Sequence, residues 1–159
     1  MKIFIEVSLG IIIVFILNVI LSKISLFLTQ PFNLFSLVVI YFALARGEIF
    51  GSCLGAFCGL IQDSFSLGVF GVAGLSKTIT GFLAGYISRK IDVSHLIRSF
   101  VFIFILICIE LSLWIFLYSF VLSEFVSIGN GLIFFQPLGT AFLGVFLIHF
   151  LRKFKIANP

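Results

Sequence analysis

The chain has 159 residues, of which 62% are apolar and 10% charged, against roughly 45–50% and 25% in an average soluble domain. That balance excludes an ordinary water-soluble enzyme, and six spans of about 20 residues, the length that crosses a hydrocarbon core of about 30 Å, leave no room for a further domain. Ten Lys and Arg against six Asp and Glu give a formal charge of +4, which in so apolar a chain predicts anchoring at a cytoplasmic membrane face and not a nucleic-acid partner.

The first apolar run, 4–21, follows Lys2 and continues into Leu21-Ser22-Lys23-Ile24 with no small-x-small cleavage site, so it reads as a retained helix and not a signal peptide. The second, 32–45, opens after Gln30-Pro31 and stops at Arg46-Gly47-Glu48. The third, 49–61, ends at Gln62-Asp63. These two are short for spanning helices and require tilt or local bilayer thinning. A loop rich in Gly and Ser, Asp63 to Gly71, leads to a fourth helix over 72–88. The polar connection Arg89 to Arg98 precedes a long fifth helix, 99–122, and Ser123-Glu124 and Gly129-Asn130-Gly131 precede a sixth, 132–151. The expected fold is therefore an all-α integral membrane protein, a single six-helix transmembrane bundle.

Charge sets the expected orientation. With both termini in the cytoplasm, Lys2, Arg46, Arg89, Lys90, Arg98, Arg152, Lys153 and Lys155 lie inside and only Lys23 outside, the asymmetry expected of a multi-pass membrane protein.

In lipid, helices gain little from hydrophobic association and pack through small residues that let backbones approach. Gly47, Gly51, Gly55 and Gly59 recur every fourth residue, and Gly81, Ala84 and Gly85 offer a matching surface on the fourth helix. This stripe serves either packing within the bundle or a partner's transmembrane helix.

Ionisable groups in hydrocarbon are expensive, at about 2.5–3.5 kcal/mol on insertion scales, and need a reason. Glu110 falls near the middle of the fifth helix and Lys77 early in the fourth, while Asp63 is expected at the membrane edge, where it costs least. Three uses compete. Lys77 snorkels outward or pairs with Asp63, while Glu110 is protonated or hydrogen-bonded within the bundle. Alternatively Lys77 pairs with Glu110, which lowers the cost of both. Or the two line a watery substrate or proton site with Gln62, Gln136 and Trp114. Pro137, after Gln136, is expected to kink the sixth helix.

Cys53, Cys58 and Cys108 lie in apolar runs without metal-ligand spacing and read as small buried residues. No nucleophile pattern accompanies His95 or His149, and no phosphate-cradling loop or paired-His motif is present. The expectation is a protein that is not an enzyme and carries no cofactor or metal.

The stretch 34–87 carries a family resemblance. An apolar run ends in Arg46-Gly47, a Gly-rich helix ends in Gln62-Asp63, a Leu67-Gly68-x-x-Gly71 turn follows, and a helix opens Leu75-Ser76-Lys77-Thr78 and continues with Gly81, Ala84 and Gly85. This order resembles the rod shape-determining protein MreD family. The resemblance implies a non-enzymatic inner-membrane component of the bacterial cell-elongation machinery. Such a component binds an MreC-like single-span scaffold and, through it, the MreB filament and the SEDS glycosyltransferase with its penicillin-binding transpeptidase, and so helps organise peptidoglycan synthesis. The family is also similar in architecture to the S components of energy-coupling-factor transporters, which supplies the alternative of a small-solute, vitamin-type binding subunit.

Overall fold

In a computed structural model of the chain, residues 2–24, 32–65, 69–91, 95–122 and 135–157 are described. They form six helices: α1 Lys2–Ile24, α2 Leu34–Arg46, α3 Glu48–Phe65, α4 Val72–Ser88, α5 Leu96–Leu122 and α6 Gln136–Ala157. No strand occurs among the described residues. The fold is all-helical, and α5, with 27 residues, is long and apolar enough to cross a membrane. The apolar helices expected to cross beside it are shorter in their described parts.

The helix bounds depart from the hydropathy reading for local reasons. Helix α3 starts at Glu48 and runs on to Phe65, because Gln62 and Asp63 continue the helix instead of ending it. Helix α5 begins three residues earlier, at Leu96. Helix α6 begins four residues later than expected, at Gln136, so Pro137 lies in its first turn. A first-turn N–H has no intrahelical partner, and proline there removes nothing. The kink expected at Pro137 is thereby replaced by a helix start. The turn residues Leu67 and Gly68, the Gln30-Pro31 and Asp92–Ser94 connections, and Ser123 to Gly131 lie outside the described residues.

Helix α2 is the centre. Eight of its 13 residues are buried, as expected of a helix apolar on every side. One face, Leu37, Ile40 and Ala43, packs with Ala84 of α4, Ile103, Leu106 and Ile107 of α5 and Ala141 of α6. The opposite face, Phe35, Val38, Val39 and Phe42, packs on Leu54 and Cys58 of α3 and receives Val7, Ile11, Val14 and Phe15 of α1. Asn33 caps α2, its side chain accepting from the Ser36 N–H at 3.3 Å. At the other end Gly47 turns the chain into α3 with φ 93°, a left-handed backbone that side chains disfavour.

The glycine stripe is consumed by α4. The two helices run antiparallel and meet in step, four residues at a time: Gly51 faces Gly81, Gly55 faces Lys77 and Thr78, Gly59 faces Ala73 and Gly74, and Gly85 abuts Gly47 and Glu48. A Cβ at Gly51 would stand 2.5 Å from the Gly81 carbonyl oxygen, nearer than real Cβ atoms approach. At Gly55, Gly59 and Gly85 the obstructing atoms are likewise backbone, and so are the two nearest at Gly81. Gly144 of α6 does the same work elsewhere, where a Cβ would lie 2.7 Å from Leu37 Cδ2.

Candidate functional site

Two polar clusters lie inside this apolar assembly, each anchored by a residue of the motif-bearing stretch. The first is built on Asp63 in the last turn of α3, which is 6% exposed. Its carboxylate accepts from the Gly71 N–H at 2.9 Å, the Ala73 N–H at 3.2 Å and the Gly74 N–H at 3.1 Å. Those donors open α4, where N–H groups lack helical partners and the helix dipole favours negative charge. Gly71 itself offers no side chain for the task and has φ 98°. Asp63, expected as a buried or membrane-edge polar residue, is therefore a buried cap supplied from the neighbouring helix. The sequence signal for this role is the helix opening at Gly71-Val72 with no Ser, Thr, Asp or Asn at its start, within chain reach of a carboxylate eight residues back.

The second cluster joins α2, α4 and α5. Lys77 is 1% exposed and Glu110 4%, and their side chains form an ion pair. Ser36 Oγ donates to Glu110 Oε1 at 2.6 Å and accepts from Lys77 Nζ at 2.9 Å. Asn33 Nδ2 donates to the same Glu110 oxygen at 3.0 Å, while Asn33 Oδ1 lies 3.4 Å from Lys77 Nζ. The Asn33 backbone N–H donates to Thr140 Oγ1 at 3.1 Å, which brings α6 into the network. An ion pair removed from water is tolerable only when further hydrogen bonds share the charge. Here the ammonium's three donors are spent on Asn33, Ser36 and Glu110.

Of the three uses open in the sequence for Lys77 and Glu110, the geometry is that of the direct pair. Lys77 neither snorkels outward nor reaches Asp63, because its backbone carbonyl side faces Gly55 and its side chain turns to α2 and α5. Asn33 and Ser36 were not singled out by sequence reasoning. Asn33 is recognisable as an N-cap, standing directly before the apolar run of α2, but its link to Glu110, 77 residues away, leaves no local trace.

The other residues considered for a site are dispersed. Gln62 lies beside Asp63 on α3, Gln136 opens α6, and Trp114 stacks on Tyr118 of α5 with ring centroids 5.2 Å apart. A groove of about 500 Å³ lies along α5 between Phe104, Cys108, Ser112 and Phe116, and Asn33, Ser36, Lys77 and Glu110 are absent from its lining. Cys58 is buried, but Cys53 is exposed on the outer face of α3, contrary to expectation. No group of three metal-type ligands gathers among the described residues. Chemically, the two clusters tie helices together: apart from the Asn33 cap on Ser36, their contacts run between elements and leave no donor of the ammonium for a ligand. Comparisons with protein-family models, with curated proteins and with solved structures gave no match.

Proposed function

We propose that this chain is a multi-pass protein of a bacterial inner membrane, with both termini cytoplasmic, and that it serves the cell-elongation machinery as a non-enzymatic assembly component. The observation that carries the membrane part is an inverted distribution of polarity. Lys77, Glu110, Asp63, Ser76, Thr80 and Thr140 are buried, while Phe57, Phe116, Phe120, Phe142 and Phe146 are each more than half exposed. A soluble domain rarely exposes apolar area on this scale. A lipid-immersed bundle does so on every outward face, with polar groups satisfied internally. The buried hydroxyls follow suit, Ser76 donating to Ala73 O at 3.1 Å and Thr80 to Ser76 O at 2.9 Å.

The elongation part rests on the resemblance of 34–87 to the MreD family and is supported by what those motif residues do. Gly47 takes the turn, Gly51, Gly55 and Gly59 admit α4, Asp63 caps it, and Lys77 ties it to α5. A unit so fixed suits a rigid platform on which an MreC-like scaffold docks and through which MreB, the SEDS glycosyltransferase and its transpeptidase are organised. The vitamin-binding alternative is less well supported, since the α5 groove is apolar and the Lys77 ammonium spends its donors within the cluster, although Glu110 Oε2 is buried without a hydrogen-bond partner. Affinity purification of the tagged chain from native membranes, followed by mass spectrometry, tests the reading. Cell-wall synthesis proteins are the expected company, and a pair of transport ATPases in their place would overturn it.

A further inference from the structure

At one end of the assembly the α2–α3 turn and the end of α4 are locked together, Gly85 abutting Gly47 and Glu48. Three cations collect there. Arg46 ends α2 and is exposed. Arg89 follows α4, its Nε 3.0 Å from the Glu48 carboxylate and its side chain 63% exposed, with a guanidinium nitrogen 2.8 Å from where a Cβ of Gly47 would stand. Lys90 Nζ donates to Tyr86 Oη at 3.0 Å. Glu48 is the one carboxylate in this group among the described residues, so an excess of positive charge remains there.

An apolar track leads into it. Leu75, Ile79, Phe82 and Tyr86 are all exposed and fall at helical spacing on one face of α4, with Phe82 and Tyr86 stacked at 6.1 Å. From Leu75 to Tyr86 the helix rises about 16 Å, close to half of a hydrocarbon core of about 30 Å. A tyrosine at the junction of an apolar face and a charged rim is the usual residue of the membrane–water interface. The charge selects an anion, and the track's one-leaflet length selects one with acyl chains.

We infer that this end of the protein binds an anionic phospholipid, its phosphate held by Arg46, Arg89 and Lys90 and an acyl chain laid along Leu75, Ile79, Phe82 and Tyr86. The inference rests on the membrane part of the proposed function and is independent of the elongation partners. It is tested on the full chain reconstituted in nanodiscs of equal phosphatidylglycerol and phosphatidylcholine, re-extracted and analysed by native mass spectrometry for retained lipid. Phosphatidylglycerol is expected in excess, falling as salt is raised. A basic side chain near an anionic surface contributes about fivefold in partitioning, so Arg46→Gln with Lys90→Gln, which leaves the Glu48–Arg89 pair intact, should lower the excess about 25-fold, and adding Arg89→Gln about a hundredfold. Lys23→Gln, at the far end, should leave it unchanged. Equal retention of the two lipids by the unaltered chain, an undiminished excess in the double variant, or displacement of the lipid by millimolar inorganic phosphate would each overturn the inference. Absence of the chain from membranes would instead overturn the proposed function beneath it.

Discussion

Two glycines of the α3–α4 contact, one residue type and one interface, should respond oppositely to the same added methyl group. At Gly55 a Cβ would fall on the carbonyl of Lys77 and the amide of Thr78, all backbone, so no side chain can swing aside and the helices must part by about 1 Å to restore ordinary van der Waals contact. Overpacking of this kind costs about 1–3 kcal/mol, and rigid atoms on both sides put Gly55→Ala at the upper end. Alanine recovers about 1 kcal/mol of helix propensity over glycine, leaving a net loss of about 2 kcal/mol. At Gly74 the nearest atom to a Cβ is Leu60 Cδ2 at 3.5 Å, an ordinary contact. Gly74→Ala should therefore keep most of the propensity gain. For a chain of this size, 1 kcal/mol corresponds to roughly 2–4 °C in Tm. Gly55→Ala should then melt about 4–8 °C lower and Gly74→Ala up to about 4 °C higher. The assay is thermal unfolding in detergent, followed by maleimide-dye labelling of buried Cys58 in a background lacking Cys53 and Cys108. Equal melting of the two variants, or a larger loss at Gly74, would refute the claim that backbone contact at Gly55 sets the spacing of these helices.

Glu110→Gln should destabilise by about 3–5 kcal/mol, because it strands the Lys77 ammonium. Combining Lys77→Met with Glu110→Met should recover most of that loss, and a double-mutant cycle on chemical unfolding reads the difference. Asp63→Ala removes the acceptor for three backbone donors and should cost about 2 kcal/mol or more, seen as fraying at the start of α4 by hydrogen exchange at Gly71 to Gly74. Pro137 is buried, so Pro137→Ala should cost about 1–2 kcal/mol for the two ring methylenes removed, whereas a gain in stability would speak for a kink in place of a helix start.

The glycine stripe was the most legible feature in the sequence, because a four-residue period on a helix has one geometric meaning and Gly81 and Gly85 repeat it on the next. Its register was not legible: nothing local says that Gly59 meets Gly74 or that Gly144 admits Leu37. The polar interior was legible as a problem and only partly as a solution. The cost of burying Lys77 and Glu110 calls for partners, and their pairing was among the alternatives. Asn33 and Ser36 went unnoticed, because their role depends on a helix packed from far along the chain. Asp63 was legible as a polar residue at the end of an apolar run, but not as a cap, because the helix that it caps opens eight residues later, at Gly71. Pro137 misled because the hydropathy run begins before the helix does.

The central position of α2 orders the events of biosynthesis. The ribosome completes this segment long before Lys77 emerges and longer still before Glu110 does, so Asn33 and Ser36 wait for ligands that do not yet exist. Once Lys77 has been made, its cationic head stays unmatched until translation has passed Glu110, some 33 residues on. A nascent chain arrested in that interval carries a cation without its counter-charge, which a folded interior does not tolerate.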